Sequence, residues 1–132
     1  MVVVAATAGA YYVSSGSKAS NSAPSNIVNI SIQGGVGNGT VDQYIPSTFT
    51  VKEGQSITLA VLNTDDNTHG LAIKAFGVDT GKIPAGHTQR VTFIANQTGT
   101  FLYYEPPGYC TAGVGGRCNS VQHMIGNMTV IP

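Results

Sequence analysis

The sequence predicts an all-β fold, a Greek-key β-sandwich of seven to eight strands. Apolar and polar residues alternate with a period of two in several short segments, as they do in strands with one buried face. These segments recur at intervals of roughly ten residues, separated by Gly, Asn, Asp and Pro, which is typical of a sandwich or barrel. No segment of useful length has the apolar period of a helix, so we expect no long helix.

The individual strands follow from this alternation in chain order. Pro46 and Pro84 stand where a strand begins or a turn closes, and both positions tolerate proline. Gly99 opens a run that contains Phe101 and Tyr103. The other alternating apolar positions are Val28, Ile30 and Ile32; Ile57, Leu59 and Val61; Leu71, Ile73 and Ala75; and Val91 and Phe93.

The chain divides into an N-terminal segment, residues 1–26, and one folded domain, residues 27–132. Residues 1–13 are apolar and uncharged, but a helix that spans a bilayer needs about 20 such residues. They include valines and tyrosines that favour strands, and residues 14–26 form a Ser/Asn-rich linker. We therefore expect residues 1–13 to tether the domain, as the remnant of a membrane anchor or as a strand added to a neighbouring subunit.

Composition limits the classes of partner and the cellular location. The 132 residues carry six Lys plus Arg and six Asp plus Glu, so the net charge is zero. A nucleic-acid-binding protein needs a basic surface, and we therefore predict no nucleic acid partner. The charged content of 9%, the apolar start and four Asn-x-Ser/Thr tripeptides favour an extracytoplasmic glycoprotein, at the cell surface or anchored on the outer face of a membrane. The tripeptides begin at Asn29, Asn38, Asn96 and Asn127.

Few residues of this chain could carry chemistry. There is no nucleophile-elbow serine, phosphate-binding loop or paired set of zinc ligands, so we expect no enzyme. Cys118, His123 and Met128 follow one another at short intervals, and His69 stands after a distant polar turn. Two imidazoles, one thiolate and one thioether are the ligands of a mononuclear blue-copper site. The sequence therefore predicts copper bound by His69, Cys118, His123 and Met128, and electron transfer to a redox partner protein.

Residues 40–132 resemble the cupredoxin family, which includes blue-copper proteins and the copper-A domain of oxidase subunit II. The strand entry at 46–54 is similar, and so is the segment 63–73, in which His69 stands where the family places its first histidine ligand. The segments 83–86, 88–93 and 99–104 match the family as well. The resemblance implies a sandwich that carries electrons through copper, as a mononuclear blue-copper protein or as a domain like respiratory oxidase subunit II.

The ligand loop departs from the family pattern. The family's cysteine usually follows directly on the strand at 99–104, but Glu105 occupies that position. The gap from His123 favours Met128 as the thioether ligand. The C-terminal pattern Met-x-Gly-x-apolar-x-Val favours Met124 instead. The identity of the methionine ligand therefore stays open at the level of the sequence.

The two cysteines also have a second interpretation. Cys110 and Cys118 are eight positions apart and could close a Gly-rich loop as a disulfide in an oxidising compartment. A disulfide would remove the thiolate that a blue-copper site requires. The alternative function is then a copper-free cupredoxin-like subunit with a structural or filament-forming role at the cell surface, joined to neighbouring subunits through residues 1–13.

Overall fold

The computed structural model describes residues 25–35, 42–111 and 124–132, and this part of the chain contains two β-sheets with nine strands. One sheet has four strands in the spatial order β2 (Gln43–Ile45), β1 (Ser25–Gln33), β4 (Ser56–Asn63) and β7 (Thr88–Ile94). The other has five strands in the order β3 (Thr48–Lys52), β9 (Ile125–Ile131), β8 (Gly99–Tyr104), β5 (Ala72–Ile73) and β6 (Val78–Asp79).

One apolar core lies between the two sheets. Ile30 on β1 and Leu59 on β4 are buried members of the first sheet, and they belong to the same core cluster as Tyr103 and Met128 of the second. Within β1 the buried and exposed residues alternate, as the sequence pattern predicts for a strand with one face in the core. The predicted all-β sandwich is confirmed.

The segment around Ile73 differs from the sequence-based prediction. Alternation predicts one strand through Leu71, Ile73 and Ala75, but β5 is only Ala72–Ile73, and a 3₁₀ helix at Lys74–Phe76 follows it. Alternation fails here because both faces of the segment are buried: Leu71, Ala72 and Ile73 are all in the interior. The chain then turns at Gly77, whose φ of 66° favours glycine, and returns as β6. The described residues therefore contain nine strands where seven or eight were predicted.

Two buried tyrosines connect the sheets. The rings of Tyr44 on β2 and Tyr103 on β8 have centroids 5.3 Å apart. The hydroxyl of Tyr44 donates to the carbonyl of Gly70 at 2.6 Å, and that of Tyr103 donates to the carbonyl of Pro46 at 2.8 Å. Gly126 lies opposite Tyr103 on β9, where an added Cβ would be 2.2 Å from the tyrosine ring. The position therefore requires glycine.

The predicted domain boundary lies near the first described residues. Strand β1 begins at Ser25, two residues before the predicted start at Ile27. The tether predicted at residues 1–13 and most of the linker lie outside the described residues, so these stay predictions. In the part of the chain that is described, no helix has the length and hydropathy needed to cross a membrane.

Candidate functional site

Backbone hydrogen bonds fix the position of His69 in the protein interior. It lies between β4 and β5, and its N–H donates to the carbonyl of Ile83 at 3.1 Å while the N–H of Ile83 donates back at 2.6 Å. Only 1% of the residue is exposed. The position of the imidazole is therefore set by main-chain pairing as well as by side-chain packing.

A buried asparagine shapes the turn that precedes His69. The side-chain amide of Asn63 donates to the carbonyls of Asn67 and Ile83, at 2.7 and 2.8 Å. Its amide oxygen accepts from the backbone N–H of Asp65 at 3.0 Å. This side chain ties the turn to the segment that pairs with His69, and the fold thereby places Asp65 beside the imidazole.

Three carboxylates surround the imidazole of His69. Its Nε2 lies 2.6 Å from Asp65 Oδ2 and 3.7 Å from Asp42 Oδ2, and its Nδ1 lies 2.7 Å from Glu105 Oε1. The exposed fractions of these carboxylate side chains are 15%, 20% and 14% in the same order. Because each ring nitrogen faces a hydrogen-bond acceptor, the arrangement suits an imidazolium that donates from both nitrogens.

The electrostatics of this cluster favour the charged forms of His69 and Asp65. Burial alone lowers the pKa of His69, but hydrogen bonds to Glu105 and Asp65 and the charges of Glu105 and Asp42 outweigh burial and raise the pKa above its usual value. Burial alone raises the pKa of Asp65, and its hydrogen bond with His69 is the main effect that instead lowers this pKa. The cluster is therefore a coupled group of ions in a protein interior.

Glu105 directly follows strand β8 and contacts the residue just before β9. Its backbone N–H donates to the carbonyl of Met124 at 3.3 Å, and its Oε1 accepts from the N–H of Gly70 at 3.4 Å. Glu105 thus joins the His69 loop to the segment that carries Met124, which is 3% exposed.

The two candidate methionines lie in different places. Met128 is fully buried in β9, where the register pairs it with Phe101 on one side and Phe49 on the other. Four residues of strand separate it from Met124, a distance of about 13 Å. Met124, whose carbonyl accepts from the backbone N–H of Glu105, is thus bonded through its backbone to a partner of His69.

Cys110 approaches the same cluster from the loop after β8. The ligand atoms of His69, Glu105 and Cys110 all lie within 4.8 Å of one another. The sulfur of Cys110 is in the disulfide-bonded state. Cys118, the only other cysteine of the sequence, and the predicted ligand His123 lie outside the described residues. Of the four predicted copper ligands, the structure thus describes His69 and Met128, and the predicted ligand set stays a prediction.

Comparison with protein families identifies the fold. A family model described as a cupredoxin-like domain matches residues 3–109, which is most of the 132-residue chain. The chain belongs to the cupredoxin-like domain family. The resemblance inferred from the sequence is confirmed.

Solved structures with the same fold come from copper proteins. A copper-containing nitrite reductase from Thermus scotoductus superposes with a TM-score of 0.63 at 22% identity, over 82% of this chain and 28% of that one. A multicopper oxidase from Pseudomonas thermotolerans superposes with a TM-score of 0.62 at 12% sequence identity. The match covers 83% of this chain and 30% of the oxidase chain. A third structure is the metal-binding domain of a Cu(I)-exporting P-type ATPase from Streptococcus pneumoniae, solved with Cu(I). It superposes with a TM-score of 0.56 at 12% sequence identity, over 82% of this chain and 87% of that one. This cupredoxin-like chain thus spans less than a third of either enzyme chain.

The described donors of this cupredoxin-like domain do not fit a blue-copper centre. That centre needs a neutral imidazole with a free ring nitrogen and a thiolate. Here both nitrogens of His69 are hydrogen-bonded to carboxylates, and Cys110 is disulfide-bonded. The resemblance implies a cysteine where this sequence has Glu105, and carboxylate oxygen is a harder ligand than sulfur.

Sequence reasoning identified His69 but not its partners. Asp65 precedes His69 by four residues in a polar turn, which conceals its role as a carboxylate partner. Asp42 comes from a different part of the chain, and its only signal is its acidic side chain. For Glu105 a signal was present, because the resemblance implies a cysteine at its position directly after β8.

Proposed function

We propose that this chain is a copper-free cupredoxin-like domain that serves a structural or assembly role outside the cytoplasm and is not an enzyme. The observation that carries the proposal is the ion pair of 2.7 Å between Glu105 and the buried His69, the histidine that the resemblance implies as the first copper ligand. A proton on the imidazole takes the place of the metal as the cation that the surrounding carboxylates require.

Copper binding at His69 would have to displace existing interactions. Metal ligation through Nδ1 removes the proton that bonds to Glu105, and ligation through Nε2 removes the proton that bonds to Asp65. A hydrogen bond to a charged group contributes roughly 1.5–3 kcal/mol, so each displacement has a substantial cost. The disulfide at Cys110 removes the soft ligand that could offset this cost.

The second candidate is a copper-binding electron-transfer protein. The position of His69, the shared family and the fold similarity to copper enzymes favour it. Its ligand set would combine His69 with Cys118, His123 and one methionine. The two candidates differ in one chemical property, since only the second requires a free thiolate.

An absorption spectrum together with a thiol count distinguishes the two candidates. We expect the oxidised full-length protein, mixed with one equivalent of Cu(II), to show no intense visible thiolate-to-copper band. We also expect no titratable thiol after denaturation without reductant. An intense band that His69→Gln abolishes and His87→Gln retains would overturn the copper-free proposal. His87 is the matched control because it is exposed and its Nδ1 is hydrogen-bonded to the carbonyl of Ala85.

Within the described part of the chain, the edge of the four-stranded sheet supports a role in assembly. Among the described strands, β7 pairs only with β4 and forms one edge of the four-stranded sheet. It is seven residues long, and an exposed edge of this length can accept an added strand. The Val- and Tyr-containing residues 1–13 have the composition of such a strand.

Deleting residues 1–24 tests the tether. We expect the truncated protein to retain its β-sheet circular dichroism but to lose self-association or binding to lipid vesicles. Sedimentation velocity measures the first property and co-sedimentation with vesicles the second. The tether proposal fails if the full-length and truncated proteins are both monomers and neither binds vesicles.

A further inference from the structure

Cys110 lies beside two members of the buried cluster, so that three different types of metal donor are close together. The imidazole of His69, the carboxylate of Glu105 and the sulfur of Cys110 lie within 4.8 Å of one another. The segments that carry His69 and Cys110 are also tied together by their neighbours. Thr68 and Thr111 exchange two backbone hydrogen bonds, at 2.8 and 3.2 Å. The three donors are therefore held close together by main-chain structure.

We propose that reduction of the disulfide at Cys110 by a dithiol creates a divalent metal site of the zinc type, with His69, Glu105 and Cys110 as ligands. Imidazole nitrogen, carboxylate oxygen and thiolate sulfur are the three donors that Zn²⁺ takes from proteins. Three protein ligands leave a fourth tetrahedral position for water. This inference goes beyond the proposed function, which concerns the oxidised chain without metal.

His69 already has the carboxylate hydrogen bond that usually orients a metal-binding histidine. A histidine that binds a metal through one ring nitrogen usually donates its other N–H to a carboxylate, which fixes the ring. Asp65 accepts from Nε2 at 2.6 Å and can keep this bond while Nδ1 turns to the metal. Glu105, now bonded to Nδ1, is then free to bind the ion.

The charge of the cluster also favours a divalent cation. Asp42, Asp65 and Glu105 supply three negative charges around a single imidazolium, so the group has a formal charge of −2. A thiolate at Cys110 and loss of the Nδ1 proton would add two more negative charges. Because the carboxylates are largely shielded from water, a nearby divalent cation would be strongly stabilised.

The redox step balances as a thiol–disulfide exchange. The dithiol supplies two electrons and two protons and becomes a cyclic disulfide. The S–S bond of Cys110 breaks, and both of its sulfur atoms become thiols. Binding of M²⁺ then releases the thiol proton of Cys110 and the Nδ1 proton of His69 to solvent.

Two serine variants of the full-length chain test the proposal, with Co²⁺ as a spectroscopic substitute for Zn²⁺. Cys118→Ser removes the only possible disulfide partner within the chain and leaves Cys110 as a thiol. We expect this variant to bind one Co²⁺ without reductant and to show a thiolate-to-cobalt charge-transfer band. Cys110→Ser retains the same number of thiols, and we expect it to show no such band.

Further variants identify the other ligands. In the Cys118→Ser background, Glu105→Gln and His69→Gln should each weaken Zn²⁺ binding at least tenfold in competition with a chromophoric chelator, whereas His87→Gln should not. The proposal is overturned if Cys110→Ser gives an equal band, or if Glu105→Gln leaves the Zn²⁺ affinity unchanged. If a variant loses its β-sheet circular dichroism, the parent chain reduced with a phosphine provides the same test, because Co²⁺ should bind only after reduction. A failure here leaves the copper-free proposal intact, since that proposal is tested on the oxidised chain.

Discussion

Replacing His69 by glutamine is expected to lower the free energy of unfolding by about 3–5 kcal/mol, the range for removing one partner of a buried ion pair. The imidazolium is the only cation within hydrogen-bond distance of Asp65 and Glu105 among the described residues. Without it, the two carboxylates and the nearby Asp42 would repel one another in a site that is largely closed to water. Denaturant unfolding followed by circular dichroism measures the change.

His87→Gln is the matched control for this substitution. It changes the same side chain in an exposed loop, and surface substitutions of this kind usually alter stability by less than about 0.5 kcal/mol. If His69→Gln is no more destabilising than this control, the cluster is not the stabilising element that its geometry indicates.

The stability of the protein is expected to be greatest in mildly acidic solution. The pKa of His69 is raised above its usual 6.5, so the stabilisation from the imidazolium is fully present below pH 6.5 and is lost as the pH rises through the higher folded-state pKa. The pKa of Asp65 is lowered below its usual 3.8, so the stabilisation from this carboxylate is present above pH 3.8 and is lost as the pH falls through the lower folded-state pKa. The two effects leave a plateau between pH 3.8 and 6.5.

Thermal unfolding across this pH range tests the prediction. The melting temperature of the parent protein should fall on the alkaline side of the plateau, and in His69→Gln this alkaline decline should be greatly reduced. An equal alkaline decline in both proteins would show that another group is responsible.

The sequence was sufficient to predict the fold because its strands have one buried face. In β1 and β4 the alternating residues, such as Ile30 and Leu59, are the ones that enter the core. The prediction was less accurate around Ile73, where Leu71 and Ala72 are buried as well and alternation no longer reports which residues are inside. A two-residue strand followed by a 3₁₀ helix has no periodic signal of its own.

The candidate site was only partly predictable, since its members come from distant segments. His69 could be recognised from the pattern of its own segment. Asp42 and Glu105 are brought to it only by the pairing of sheets and loops, across 27 and 36 residues of chain. The place of Met128 between Phe101 and Phe49 depends on the register of β9, and spacing from His123 could not supply that register.

The two tyrosines that connect the sheets give the protein an optical signal of its own. The chain has six tyrosines and no tryptophan, so phenol groups dominate its near-ultraviolet absorption. Burial, together with the charge of Glu105 for Tyr44, raises the pKa of both Tyr44 and Tyr103 well above the usual value. In an alkaline titration these two phenols should ionise only when the sheets separate. The late part of the phenolate absorbance therefore measures opening of the sandwich without any added dye or label.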